Sequence, residues 1–164
     1  MKDYYVMAIN PGSTSMKFAI YENETCIIKK QYNYVPEQIT RFGLIIEQLD
    51  MRRETVEQFI RDIDFDMNQL DAVVGRGGVV PPLQSGAYRV NDLLLDRLSN
   101  RPAGQHASNL GGILAYELAQ RLAIPAYIYD AVSVSETKPL ACLTGVKGLA
   151  RQSRLHALNI RATA

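Results

Sequence analysis

The stretch Asn10-Pro11-Gly12-Ser13-Thr14-Ser15-Met16-Lys17 gathers an amide, hydroxyls at Ser13, Thr14 and Ser15, a glycine and a cation within one short segment. Amide hydrogens and hydroxyls contact phosphate oxygens, Gly12 lets backbone N–H groups point outward, and a nearby lysine offsets the negative charge. The chemistry this set suits is therefore phosphate binding. A polar turn that binds nothing has the same composition. The stretch fits no standard phosphate motif. A P-loop needs a second glycine and a following helix, a dinucleotide fingerprint needs three glycines opening a helix, and a Ser-x-x-Lys nucleophile would need serine where Thr14 stands.

Apolar runs flank the stretch, Tyr4 to Ile9 before it and Phe18 to Tyr21 after it, so it reads as the tip of a β-hairpin. The first run is apolar at nearly every position, the pattern of a strand buried on both faces. Thr25 to Tyr34 reads as a third strand, basic at one end. From Glu37 to Ile63 the period becomes helical: Ile45, Leu49, Val56, Ile60 and Ile63 share a face, with Arg53, Glu57 and Arg61 elsewhere. Gly43 and the Asp50-Met51 region are the points where this segment would divide into two helices. Leu70 to Val74 is a short strand running into Gly75-Arg76-Gly77-Gly78. Ser85 to Val90 forms a turn and strand, and Asn91-Asp92 caps a helix through about Leu98.

A loop carrying Pro102, Gly104 and His106 leads to a helix capped by Ser108, with Leu110, Leu114, Leu118 and Leu122 on its core face. Ala126 to Tyr129 is a strand that delivers Asp130 at its C-terminal end, and Val132 to Val134 continues extended. Ser153 opens a last helix containing Leu155, His156 and Leu158. Three antiparallel strands followed by alternating helices and strands predict an α/β domain with a mixed sheet. The segment Ile160–Ala164 stops in mid-pattern, which predicts a truncated polypeptide.

With 164 residues and 47% hydrophobic content the chain can bury one core and part of a second. Its 18 basic and 17 acidic residues nearly cancel, which gives no electrostatic case for nucleic acid or an anionic membrane. The apolar runs are too short to span a bilayer and no signal-peptide core is present. Cys26 and Cys142 lack metal-ligand spacing and read as buried, reduced thiols of a cytoplasmic protein.

Taken in order, the hairpin motif at 10–15, Asp71-Ala72-Val73-Val74-Gly75-Arg76-Gly77-Gly78, His106-Ala107-Ser108-Asn109-Leu110-Gly111, Ile124-Pro125-Ala126 leading to Asp130, and Arg151-Gln152-Ser153 leading to His156-Ala157-Leu158-Asn159 resemble the butyrate kinases. These belong with the acetate kinases among the actin-like, hexokinase-like phosphotransferases. The resemblance runs from residue 6 to about residue 164. It implies a ribonuclease-H-like (actin-like ATPase) fold, a mixed sheet flanked by helices, with residues 1–130 as the N-terminal domain and 131–164 as the opening of a second domain that is mostly missing. The family's second phosphate loop and adenosine segment would lie beyond residue 164. The residue before His156 departs from the family in being Leu155 rather than an aromatic.

The activity implied is transfer of the ATP γ-phosphoryl to butyrate or a related short or branched fatty acid, giving an acyl phosphate and ADP. Acetate or propionate as acceptor, or an inactive truncated domain, are the alternatives. A carboxylic acid with pKa near ~4–5 is already ionised at neutral pH and needs no general base. It needs relief from repulsion as it approaches a polyanion, so positioning and positive charge should dominate catalysis. The resemblance accordingly assigns catalysis to Arg76, Asp130 and His156, ATP phosphates to Asn10, Gly12, Ser13, Thr14, Ser15 and Lys17, and Mg²⁺ to Asn10 and Asp130. Gly77, Gly78, Val79, Val80, Pro81 and His106 would form the substrate pocket. Arg76 in a structural ion pair and Asp130 as a helix or turn cap are the structural alternatives. Self-association into a homo-oligomer is also implied.

Overall fold

The computed structural model describes residues 2–100, 103–151 and 154–164. Strand β1 (Tyr5–Pro11) and strand β2 (Ser15–Glu22) pair antiparallel from Tyr5 opposite Glu22 to Pro11 opposite Met16, which leaves Gly12–Thr14 as the tip. The Gly12 N–H closes the tip on the Ser15 carbonyl at 2.8 Å. Alternation sets the buried face: Met7, Ile9 and Pro11 of β1 and Met16, Phe18 and Ile20 of β2 point inward. The other face of β1 is only half-buried, so this strand is covered more fully on one side than its continuous apolar run predicts.

Strand β3 (Thr25–Asn33) adds antiparallel to β2, and strand β4 (Ala72–Arg76) adds parallel to β1. The edge β5 (Tyr88–Arg89) runs antiparallel to β6 (Ala126–Tyr129), which is parallel to β4. Among the described residues these six strands form one mixed sheet in the order β3-β2-β1-β4-β6-β5. Relative to the sequence reading, β4 is displaced by two residues and reaches Arg76, because Leu70 is used as a buried anchor before the strand begins.

The 37–63 segment divides near Gly43 rather than at Asp50-Met51. Helix α1 (Pro36–Thr40) is followed by a 3₁₀ turn at Ile45–Gln48 that runs directly into α2 (Leu49–Arg61). The α2 face turned to the core carries Arg52, Thr55, Val56 and Phe59. Phe59 stacks on Phe18, with ring centroids 4.6 Å apart. Helix α3 (Asp92–Ser99) is capped as expected by Asn91, whose side chain accepts from the Leu94 N–H. Helix α4 (Asn109–Arg121) buries Leu110, Leu114 and Leu118 and lies against β4 at backbone distance. A Cβ on Gly75 would fall 2.0 Å from the Gly111 carbonyl oxygen, so both positions require glycine for contact.

Downstream of β6 the chain departs from expectation. Asp130 has φ of +52°, which ends the strand, and the Val134 N–H bonds the Ala131 carbonyl at 3.0 Å, so Val132 and Ser133 turn rather than extend before Val134 bridges Leu83 in parallel. Ala131 and Val134 are buried in the same core as the strands. Helix α5 spans Ala157–Thr163 with His156 at its N-cap, so Leu155 and His156 precede the helix expected to contain them. Pro102, Gln152 and Ser153 lie outside the described residues. Cys26 is exposed and Cys142 half-buried, both free thiols. The expectation of two buried thiols is corrected because Cys26 sits on the outer part of β3. No described helix is long and apolar enough to cross a membrane.

Candidate functional site

The hairpin tip presents donors. Among the described residues the Ser13 and Thr14 N–H groups have no hydrogen-bond partner, the state expected of a loop that receives anionic oxygens. Asn10 and Lys17 stand opposite each other across β1 and β2, which puts their side chains on one face of the hairpin. Beneath the tip lies a residue that the sequence reading missed. Arg52 is 0% exposed, and its guanidinium donates to the Ser15 carbonyl (3.3 Å), the Ser13 carbonyl (3.4 Å) and the Gln48 side-chain oxygen (2.8 and 3.2 Å). It also lies 5.0 Å from the centre of the Tyr34 ring.

Arg76 ends β4 and Asp130 follows β6, so the parallel pairing of these strands brings the two together. The Arg76 Nη2 reaches Asp130 Oδ2 at 3.2 Å, and the Leu158 N–H donates to Asp130 Oδ1 at 3.1 Å. Asp130 therefore both pairs with Arg76 and ties down the first turn of α5. His156 Nδ1 lies 2.7 Å from the Asp130 carbonyl oxygen and 3.1 Å from Arg76 Nε. The shorter contact requires a donor facing the carbonyl, so Nδ1 carries the proton and Nε2 is the ring nitrogen left for a ligand. Burial pushes the His156 imidazole below its ordinary pKa; the Asp130 carbonyl opposes this, Arg76 adds to it, and the Asp130 carboxylate opposes it.

His106 is held in the opposite tautomer. Its Nδ1 accepts from the Ser108 N–H at 3.2 Å and lies 2.6 Å from the Ser108 hydroxyl, which leaves Nε2–H as a donor. Ser108 is thus engaged with His106 and makes no side-chain cap bond to α4. Burial, then the neighbouring His156 and Arg76, lower the His106 pKa and keep the ring neutral near pH 7. The two histidine rings are 5.8 Å apart between centroids.

These groups converge on a cleft of about 430 Å³ lined by Asn10, Gly12, Ser13, Ser15, Lys17, Arg76, His106 and His156. Its apolar wall comes from Pro11 and Ala107 and from Ile39 and Ile45, the last two not foreseen from the sequence, and Gln48 and Gln105 complete it. No motif spacing marks Ile39 and Ile45; only their shared position on the cleft wall does. Asp130 lies outside this cleft and lines a second hollow of about 300 Å³, which shares Asn10 and Arg76 with the first.

The proposed substrate-pocket residues separate. Val79, Val80 and Pro81 line a third cavity of about 150 Å³. Gly77 and Gly78 border none of the three: a Cβ on Gly77 would strike Ala131, and one on Gly78 would strike Asn109. Their glycines permit close contact with protein, not with a ligand. Thr14 likewise does not border the main cleft.

No group of three or more His, Cys, Asp or Glu side chains among the described residues could hold a bare metal ion. A magnesium ion that arrives with a polyphosphate asks less of the protein, one carboxylate with waters and phosphate oxygens completing its shell. Asp130 beside Asn10 across the second hollow fits that donor set.

No family model matches the sequence. The fold resembles the acetate kinase of Porphyromonas gingivalis (12% identity, 97% of this chain and 48% of that one, TM-score 0.59). It also resembles the acetate kinase of Entamoeba histolytica (12% identity, 88% and 39%, TM-score 0.51). A third likeness is to a propionate kinase from Francisella tularensis subsp. tularensis SCHU S4 (13% identity, 88% and 41%, TM-score 0.51). The chain spans less than half the length of each of these proteins. At such identities the likeness is one of fold: a mixed sheet flanked by helices, as in the acetate kinase of Porphyromonas gingivalis.

Proposed function

We propose that the chain is the N-terminal part of a carboxylate kinase, which moves the γ-phosphoryl group of ATP onto butyrate or a related short or branched fatty acid. The observation that carries this reading is the convergence of the hairpin donors, Arg76, His106 and His156 on one cleft. In this assignment residues 1–130 form the N-terminal kinase domain and 131–164 open a second domain. The protein is proposed to work in the cytoplasm as a homo-oligomer.

The fatty acid arrives as an anion, so the protein has to reduce charge repulsion and hold the reactants in line. Arg76 is suited to this. Its Nη2 is held by Asp130, while Nη1 has no partner among the described residues and is left to donate to a carboxylate or phosphoryl oxygen. His106 offers a neutral Nε2–H, which donates without adding a full charge. Nearby phosphate favours the charged form of His156, and it is as the imidazolium that its Nε2–H would donate to a phosphoryl oxygen as negative charge spreads there. Ser13, Ser15, Lys17 and the N–H groups of Ser13 and Thr14 hold the nucleotide phosphates, with Asn10 at the junction of both hollows. The acceptor carboxylate oxygen bonds to the γ-phosphorus, the bond from that phosphorus to the bridging oxygen breaks, and ADP leaves with the electron pair. Asp130 and Asn10 would hold a Mg²⁺ that arrives with the phosphates, and it would supply charge neutralisation there.

Acetate or propionate as acceptor is supported by the names of the fold neighbours. The assay that decides traps acyl phosphate as hydroxamate and couples ADP release, across acetate, propionate, butyrate and isobutyrate. It is run on residues 1–164 and on the longest reading frame that contains them. Acyl phosphate from butyrate in the longer protein is the expected result. ATP turnover with no acyl phosphate from any acid would overturn the proposal.

A further inference from the structure

A buried cation usually keeps a carboxylate partner, because an unpaired charge taken out of water is strongly destabilising. Arg52 does not follow this rule. It is completely buried, yet among the described residues no carboxylate lies within ion-pair distance, and its partners are neutral: the Gln48 amide oxygen, the carbonyls of Ser13 and Ser15, and the Tyr34 ring. Burial lowers its pKa, but a guanidinium stays protonated at any working pH. The positive charge therefore persists without compensation under the hairpin.

The direction of that charge follows from the peptide geometry. In a trans peptide the carbonyl and the next N–H point oppositely. Because the Ser13 carbonyl turns toward Arg52, the Thr14 N–H turns away from it, outward, where it has no partner among the described residues. One guanidinium thus holds two carbonyls of the tip and orients a peptide dipole with its positive end outward. Gln48, which anchors the guanidinium through two bonds, itself borders the main cleft.

We infer that Arg52 is a positioning residue for a phosphate group at the hairpin tip, supplying counter-charge from beneath the loop while fixing the Ser13 and Ser15 carbonyls. This rests on the phosphate reading of the same hairpin. Lys17 supplies positive charge from the solvent side and Arg52 from the core side, so the bound anion completes a buried pair that the free chain lacks.

The test uses pyrophosphate, followed by calorimetry and by NMR of backbone amides and arginine Nε–H groups. In the unaltered chain pyrophosphate should shift the Ser13 and Thr14 amides together with the Arg52 Nε–H. Arg52→Met, which keeps an apolar stem of similar length, should bind about tenfold more weakly, with a shallower dependence on salt. Arg52→Lys, which keeps the charge but loses the fork, should stay within about threefold of the unaltered chain. A purely structural clamp predicts instead that Lys fails as badly as Met.

Moving Ser13 and Thr14 amides with a stationary Arg52 signal, or unaltered affinity in folded Arg52→Met, would overturn the inference while leaving the phosphate site standing. If Arg52→Met does not fold, the NMR titration of the unaltered chain and the Arg52→Lys affinity decide the matter. Amides at 13 and 14 that never respond, with no effect of Lys17→Met, would remove the phosphate reading itself, and this inference with it.

Discussion

The Arg76 guanidinium meets the Asp130 carboxylate at 3.2 Å, so the cation facing the main cleft is already partly neutralised by a residue on its far side. The same carboxylate holds the N–H of Leu158 with its other oxygen. A single aspartate thereby links the end of β6, the end of β4 and the start of α5. The structural role foreseen for Asp130, a cap, and the chemical role proposed for it, a magnesium ligand, draw on the same two oxygens.

Asp130→Asn separates these roles, because an amide oxygen still accepts from Leu158 while the negative charge is gone. Metal-free pyrophosphate should bind about threefold more tightly, since Arg76 is no longer partly neutralised. Phosphoryl transfer with magnesium and ATP should fall roughly 10²-fold or more, as expected when a charged group acting at the reacting centre is removed. The measurement is paired calorimetry and hydroxamate kinetics. Transfer at the unaltered rate would assign Asp130 to the cap alone.

The hairpin is legible from two apolar runs and the turn residues between them, but the unbroken run of β1 hides which side is covered: Met7 and Ile9 are buried while Ala8 between them is only half-buried. The contribution of Arg52 was not read, although its signal existed. Arg52, Val56 and Phe59 recur at helical spacing, but Met51-Arg52-Arg53-Glu54 looks like a solvated face, and charge type overrode periodicity. Gly77 and Gly78, assigned from the sequence to the substrate pocket, instead admit close packing of the protein on itself, as Gly75 does. What approaches them is Gly111, Ala131 and Asn109, which only the crossing of α4 over β4 and the turn after Asp130 can reveal. That turn was hidden because Val132 and Val134 carry strand propensity, which the left-handed Asp130 and the Val80 N–H bonded to Ser133 Oγ override.

The two histidines predict how stability depends on acidity. Burial lowers both pKa values below the ordinary value of 6.5, so the unfolded chain binds more protons than the folded one as pH falls through that value. The stabilisation is complete above the unfolded pKa and is lost between that value and the lower folded pKa. The urea midpoint should therefore drop as pH is taken from 7.5 toward 5. His106→Gln, which keeps a side-chain amide near Ser108, should flatten part of that slope. A midpoint that rises on acidification through this range would contradict the neutral assignment of both rings.

Acceptor preference should follow the wall that shares a cleft with Arg76. Ile39 and Ile45 line that cleft, whereas Val79, Val80 and Pro81 line a smaller one behind the loop around Gly104, whose Cα side approaches Val79. Because Arg76 and Ile45 line one cleft and Val79 another, an acid whose carboxylate bonds Arg76 Nη1 would lay its tail against Ile45. Each methylene contributes about 0.8 kcal/mol, roughly fourfold in binding, so one wall residue shifts preference modestly. Ile45→Ala should lower kcat/KM for butyrate a few-fold and raise longer acids relative to it. Val79→Ala is the counter-test in the same acid series. Should chain-length preference move with Val79 and not with Ile45, the tail occupies the smaller cavity, and the Gly-Gly-Val-Val-Pro segment regains the role its sequence suggested.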